Sequence, residues 1–167
     1  MLNFMFTSCP SVCPRQTRLL AEARAQLPEH VLQRVHFLSV SVDPENDDPR
    51  ALEAFAKKMG ADVPGWRFAR VDETALRELS KRLVVFEPSA AAQPGVAPAP
   101  SAHTSSAYLF DREGRPVQRY GSTTIDPARL AREIIALDAL GRPKTRHDGP
   151  VADASPSRLV RSDGGLR

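Results

Sequence analysis

The stretch Phe6-Thr7-Ser8-Cys9-Pro10-Ser11-Val12-Cys13-Pro14 holds the two cysteines of this 167-residue chain, four positions apart. It follows an apolar, aromatic opening, and residues 1 to 7 read as a short buried strand. Pro10 and Pro14 punctuate the turn after it, and Pro14 suits a first helical turn, where its missing N–H costs little. A helix is expected from there to about Gln26, with Leu19, Leu20, Ala23 and Leu27 on one face and Pro28 ending it. Both thiols therefore fall at a strand–helix junction. Cys9 lies on the loop and Cys13 at the helix N-terminus, where free N–H groups and the helix dipole favour a thiolate. Two thiols so placed can close a disulfide or present two soft ligands to a metal ion. A third possibility, a buried pair packed as small apolar groups, suits a proline-flanked junction poorly.

Working outward, Val35, Phe37, Leu38, Val40 and Val42 make a second strand, nearly continuous in apolar character as buried parallel strands are. Asp43-Pro44-Glu45-Asn46-Asp47-Asp48-Pro49 is a turn with helix-starting chemistry. Leu52, Phe55, Ala56 and Met59 form a helical stripe that Gly60 closes. Residues 66 to 71 read as a third strand and 73 to 83 as another amphipathic helix. The Ala/Pro-rich stretch 88–102 is expected to be a flexible loop. A hairpin follows over 107–110 and 116–120, and Asp126-Pro127 caps a last helix carrying Leu130, Ile134, Ile135 and Leu137. The order predicts one α/β domain over residues 1–140, with 141–167 a disordered tail.

The pI near 9.2 invites a nucleic-acid reading, but the charge is misplaced for it. Of 23 basic and 20 acidic side chains, six and three lie after Leu140, leaving seventeen of each before it. The folded part is neutral overall, so nucleic-acid binding is not expected. No apolar run approaches the ~20 residues of a membrane span. Met1-Leu2-Asn3-Phe4-Met5-Phe6 has neither the basic leader nor the cleavage site of a signal peptide. The chain opens as though already inside a strand, and upstream residues such as an anchor or signal are expected to be missing.

A closed zinc site needs four protein ligands, and no third donor stands near the two cysteines in sequence. Among the histidines, His36 interrupts an apolar strand, His30 sits in a helix-to-strand connection and His147 lies in the tail. His103 ends the Ala/Pro-rich loop and precedes a strand, where a side chain can reach the mouth of the fold. Of the acidic cluster Asp43, Asp47 and Asp48, capping and dipole compensation are the simplest reading.

Asn3 to Pro14, then Ser41-Val42-Asp43-Pro44-Glu45, then His103 before a strand together resemble the SCO/SenC family. The resemblance covers roughly residues 2 to 140. It implies a thioredoxin-like fold, a central mixed sheet flanked by helices, here without the N-terminal hairpin and membrane anchor of the family. It implies a copper chaperone for cytochrome c oxidase assembly, holding Cu(I) or Cu(II) through Cys9, Cys13 and His103, with dithiol/disulfide cycling. The partners it implies are a cytochrome c oxidase subunit or other copper-accepting protein and a thiol reductant. The location it implies is the periplasmic side of the bacterial inner membrane, with membrane attachment only through the missing anchor. It also makes Asp43 a candidate support for the site. Ala102 stands where the family commonly has an acidic residue before its histidine, so a carboxylate orienting the imidazole is not expected here. The alternative is a thiol–disulfide oxidoreductase or peroxidase, with Cys9 attacking and Cys13 resolving. The CxxxC spacing, and Ala102-His103-Thr104-Ser105 without a proline, count against that alternative.

Overall fold

The computed structural model describes residues 1–86, 100, 103–122 and 124–141. The expected loop 88–102, apart from Pro100, and the expected tail beyond Gly141 lie outside the described residues.

The first strand, β1 (Leu2–Met5), is buried along its whole length because it is the centre of the sheet. It pairs in parallel with β2 (Phe37–Ser41), which pairs in parallel with β3 (Trp66–Ala69). On its other side β1 meets β4 (Ser106–Phe110) antiparallel, and β4 turns back into β5 (Pro116–Gly121). The order β3-β2-β1-β4-β5 makes a mixed five-stranded sheet. Each face has its own core, as the period of two demands. Leu2, Phe4, Val40 and Tyr108 pack on one face, beneath Leu76 of α4 (Glu73–Arg82). Met5, Phe37, Ala107 and Leu109 pack on the other, with Leu20 and Ala23 of α1 (Val12–Ala25) and Leu130 and Ile134 of the last helix, α5 (Pro127–Leu140).

The helices start where the sequence places caps. Asp48 accepts from the Ala51 N–H at 2.8 Å to open α3 (Pro49–Lys58), and Asp126 accepts from Ala128 and Arg129 to open α5. Gly60, at φ +67°, takes the left-handed turn that ends α3. The parallel strands are shorter than in the sequence reading: β1 stops at Met5 rather than residue 7, and β3 at Ala69 rather than residue 71. The second strand is shorter too, because Val35 and Val42 flank it, and a four-residue helix, α2 (Glu29–Leu32), fills the connection after Pro28. Four residues are too few to show a helical period. α1 differs from α3, α4 and α5: its N-cap residue, Ser11, makes no side-chain capping bond. That opening is where the cysteines sit.

Candidate metal centre

The loop between β1 and α1 is held from below by a carboxylate. Asp47, fully buried, accepts from the Thr7 N–H (3.1 and 3.2 Å), the Thr7 hydroxyl (2.5 Å) and the Ser41 hydroxyl (2.6 Å). A buried charge persists only when its lone pairs are filled, and here four donor contacts fill them. Ser41 ends β2 and Thr7 lies two residues before Cys9, so Asp47 fixes the loop to the neighbouring strand. The Cys9 N–H then turns back to the Phe6 carbonyl at 3.3 Å.

Both cysteines are unbridged, and they are not equivalent. The Cys9 sulfur receives the Cys13 N–H at 3.4 Å, taking the place of the missing side-chain cap at the α1 N-terminus. Burial works to raise its pKa, but bonds from Cys13, Ser11 and Val12 outweigh this and hold it below the usual thiol range. Cys13, 1 % exposed, is pushed up to about 12, by burial first and then by its neighbours Cys9 and Asp47 against a bond to Phe6. The expectation that Cys13 would be the thiolate is therefore reversed. Cys13 lies inside the first turn, and the free N–H groups of that turn point back at Cys9. Cys9 also lines a groove of about 430 Å³, with Pro10, Pro14, Phe55 and Met59.

His103 reaches the same place from the segment that leads into β4, the strand paired with β1. It bridges to Phe86 and lies at 5.5 Å from the Phe6 ring, edge to face. Its Nδ1 is 2.6 Å from the Pro100 carbonyl, which can only accept, so Nδ1 carries the proton. Nε2 is then left with its lone pair, 4.0 Å from the Cys13 sulfur. Burial lowers the imidazole pKa, against the opposing pull of the Pro100 and Phe4 backbone, and so favours the neutral ring, the form that ligates metals. The Pro100 carbonyl orients the ring, a task for which no carboxylate was expected at Ala102.

Among the described residues, no three His, Cys, Asp or Glu groups are already gathered as a finished metal cage. The Cys13–His103 pair nonetheless fits one ion. Metal–nitrogen and metal–sulfur bonds of about 2.0–2.3 Å let a single ion span donors up to about 4.4 Å apart.

The SCO1/SenC family model matches residues 1–138, the whole of the sheet and the site built on it. The chain belongs to the SCO1/SenC family. A curated relative, the SCO1 protein homolog of Bacillus subtilis, is 29 % identical over 133 residues, covering 76 % of this chain and 64 % of that protein. This family member thus spans less than two thirds of that relative's length. Among solved structures, apo Sco1 of Thermus thermophilus is 32 % identical with a TM-score of 0.61, covering 83 % of this chain and 77 % of that one. A SCO1/SenC family lipoprotein of Bacillus anthracis is 28 % identical with a TM-score of 0.65, covering 82 % and 79 %. Yeast Sco1, solved with copper bound, shares the fold at 20 % identity and a TM-score of 0.62, covering 86 % and 77 %. The thioredoxin-like, mixed-sheet α/β class expected from the sequence is the class observed.

Of the residues singled out in the sequence, Cys9, Cys13 and His103 come to one end of the sheet, beside the β1–α1 loop. His30 and His36 are exposed, and His147 lies outside the described residues. Asp48 caps α3, as the bland reading had it. Asp43, the expected support, instead accepts from Asn46 at 2.9 Å. The support is Asp47, which the sequence did not distinguish from its acidic neighbours. No signal in the run Asp43 to Asp48 marks which carboxylate turns inward.

Proposed function

We propose that this chain is a copper chaperone, holding copper as cargo between the thiolates of Cys9 and Cys13 and the Nε2 of His103. The observation that carries the reading is the imidazole tied at Nδ1 to Pro100, with Nε2 turned to Cys13 at 4.0 Å. A buried histidine fixed in that tautomer has its lone pair ready for an ion and no hydrogen to donate. Two sulfurs and one imidazole suit Cu(I), and with a weak further ligand also Cu(II). Family membership and the copper-bound structure of yeast Sco1 support the same cargo. On this reading the acceptor is a cytochrome c oxidase subunit, or another copper-accepting protein, whose copper centre is being assembled. The lipoprotein of Bacillus anthracis supports a place at the outer surface of a membrane, the periplasmic side in a bacterium with two membranes. The proposed function is assigned to a domain spanning residues 1–140, in keeping with the family match over residues 1–138.

The unequal thiols favour a second reading, dithiol/disulfide exchange, alone or coupled to copper transfer. The Cys9 thiolate attacks a partner disulfide, forming a mixed disulfide and releasing one partner thiolate. Cys13, giving up its proton, then attacks the Cys9 sulfur and releases the second. The pair loses two electrons, the partner disulfide gains them, and a thiol reductant restores the pair. The Cys13 thiol, pushed up to about 12, is the proton source of the second step.

Titrating the reduced protein with Cu(I) and with Cu(II) tests the proposal. One ion per chain, protecting both cysteines from alkylation, is the result expected. Rapid turnover of disulfide substrates with no stoichiometric copper binding would leave the exchange reading alone.

A further inference from the structure

Gln16 is a glutamine at 1 % exposure on the core face of α1, one turn beyond Cys13. Burying an amide is costly unless its donors and acceptors are met. Here they are met by an unbroken chain that crosses the sheet. The Trp66 indole donates to the Ser39 hydroxyl (3.1 Å), and Ser39 donates to Asn3 Oδ1 (2.7 Å). Asn3 Nδ2 donates to Gln16 Oε1 (3.1 Å), and Gln16 Nε2 donates to the Ser105 carbonyl (2.8 Å). An indole N–H can only donate and a backbone carbonyl can only accept, so the two ends fix the direction of every bond between them. Ser39 is fully buried, Gln16 is 1 % exposed and Asn3 2 %, so water does not substitute for these three.

The last bond joins the two halves of the proposed copper site. Gln16 lies on the helix that carries Cys13, and Ser105 lies two residues beyond His103. The His103 segment is otherwise tied to the other side: the Thr104 N–H donates to Val85 at 2.6 Å, and the Thr104 hydroxyl donates to Val84. Apart from the 4.0 Å approach of the His103 Nε2 to the Cys13 sulfur, Gln16 supplies its link to the Cys13 helix.

We propose that Gln16 is a positioning residue for His103, setting the separation between its imidazole and the Cys13 sulfur through the Ser105 carbonyl. This rests on the reading of Cys9, Cys13 and His103 as copper ligands. Outer partners of metal ligands typically change affinity by about 10–100-fold when removed. Gln16→Met keeps the length and loses both bonds. Gln16→Glu keeps the acceptor for Asn3 and sets a carboxylate against the Ser105 carbonyl.

The test is Cu(I) affinity of the full chain, by competition with a chromophoric chelator, in wild type, Gln16→Met, Gln16→Glu, His103→Ala and the doubles with His103→Ala. Each Gln16 variant is expected to loosen copper about tenfold or more when His103 is present and to add nothing when it is absent. Oxidation of the Cys9–Cys13 pair, followed by thiol titration, is expected to stay stoichiometric. Equal losses in both backgrounds, or no loss in either, would overturn the proposal. A His103→Ala variant with unchanged affinity would instead overturn the ligand assignment beneath it. If neither Gln16 variant folds, side-chain amide resonances decide in folded protein. The Gln16 amide is expected to shift on Cu(I) loading of wild type and to stay in place in His103→Ala. An amide that does not move on loading wild type would overturn the proposal.

Discussion

Removing the Asp47 carboxylate is expected to cost several kcal/mol and to loosen the cysteine loop in particular. In Asp47→Ala the Ser41 hydroxyl and the Thr7 N–H and hydroxyl lose their acceptor together. A buried donor left unmet costs about 1–3 kcal/mol. Ser41 is fully buried and bears that cost in full, while Thr7 is partly exposed and recovers some of its loss from water. The total is about 3–5 kcal/mol, a large share of the 5–15 kcal/mol typical of a folded domain. Asp47→Asn is milder, about 1–2 kcal/mol, because the amide retains one oxygen but turns an N–H toward donors. Asp43→Ala is the control, since its carboxylate meets an exposed asparagine, and a loss within about 1 kcal/mol is expected. The assay is urea unfolding of the reduced protein at pH 7, with the alkylation rate of Cys9 in the native state as a second readout. A loss below 1 kcal/mol for Asp47→Ala, or a larger loss for Asp43→Ala, would refute the reasoning.

Two further outcomes follow from the thiols. Limiting iodoacetamide at neutral pH should modify Cys9 before Cys13, as read by peptide mass spectrometry, since Cys9 has the lowered pKa and faces the groove. Preferential labelling of Cys13 would contradict the assignment. In the folded protein Cys13 keeps its proton to about pH 12, whereas its ordinary value is 9.0. Between these values the unfolded chain has released a proton that the native state still holds, so stability falls as pH rises above 9. The slope due to this group approaches about 1.4 kcal/mol per pH unit. Unfolding of wild type and Cys13→Ser compared from pH 8 to 10.5 reads it: the difference should narrow steadily above pH 9, and a constant difference would count against a buried thiol.

Much of the fold was legible because its signals are local. Asp126-Pro127 and Asp48-Pro49 announce helix starts by their capping chemistry, and the apolar runs at residues 1–7 and 35–42 announce buried strands. The cysteine pair was legible for the same reason. What escaped the sequence depends on direction in space. Asp43, Asp47 and Asp48 share one chemistry, and only the path of the chain after β2 turns Asp47 beneath Thr7. A thiolate was expected at Cys13, but a helix N-terminus acts on the atom ahead of it, which is the Cys9 sulfur rather than Cys13 itself. Gln16 was passed over because a polar residue beside an apolar stripe reads as a solvent-facing position. Its partners, Asn3 and Ser105, lie 13 and 89 residues away.

The copper site is tested most directly by the Cu(I) affinity of the reduced chain at pH 7, wild type against His103→Ala. The account predicts one ion per wild-type chain and at least about a tenfold weaker complex in the variant, as befits loss of an oriented imidazole ligand. Equal affinity in the two proteins would contradict it.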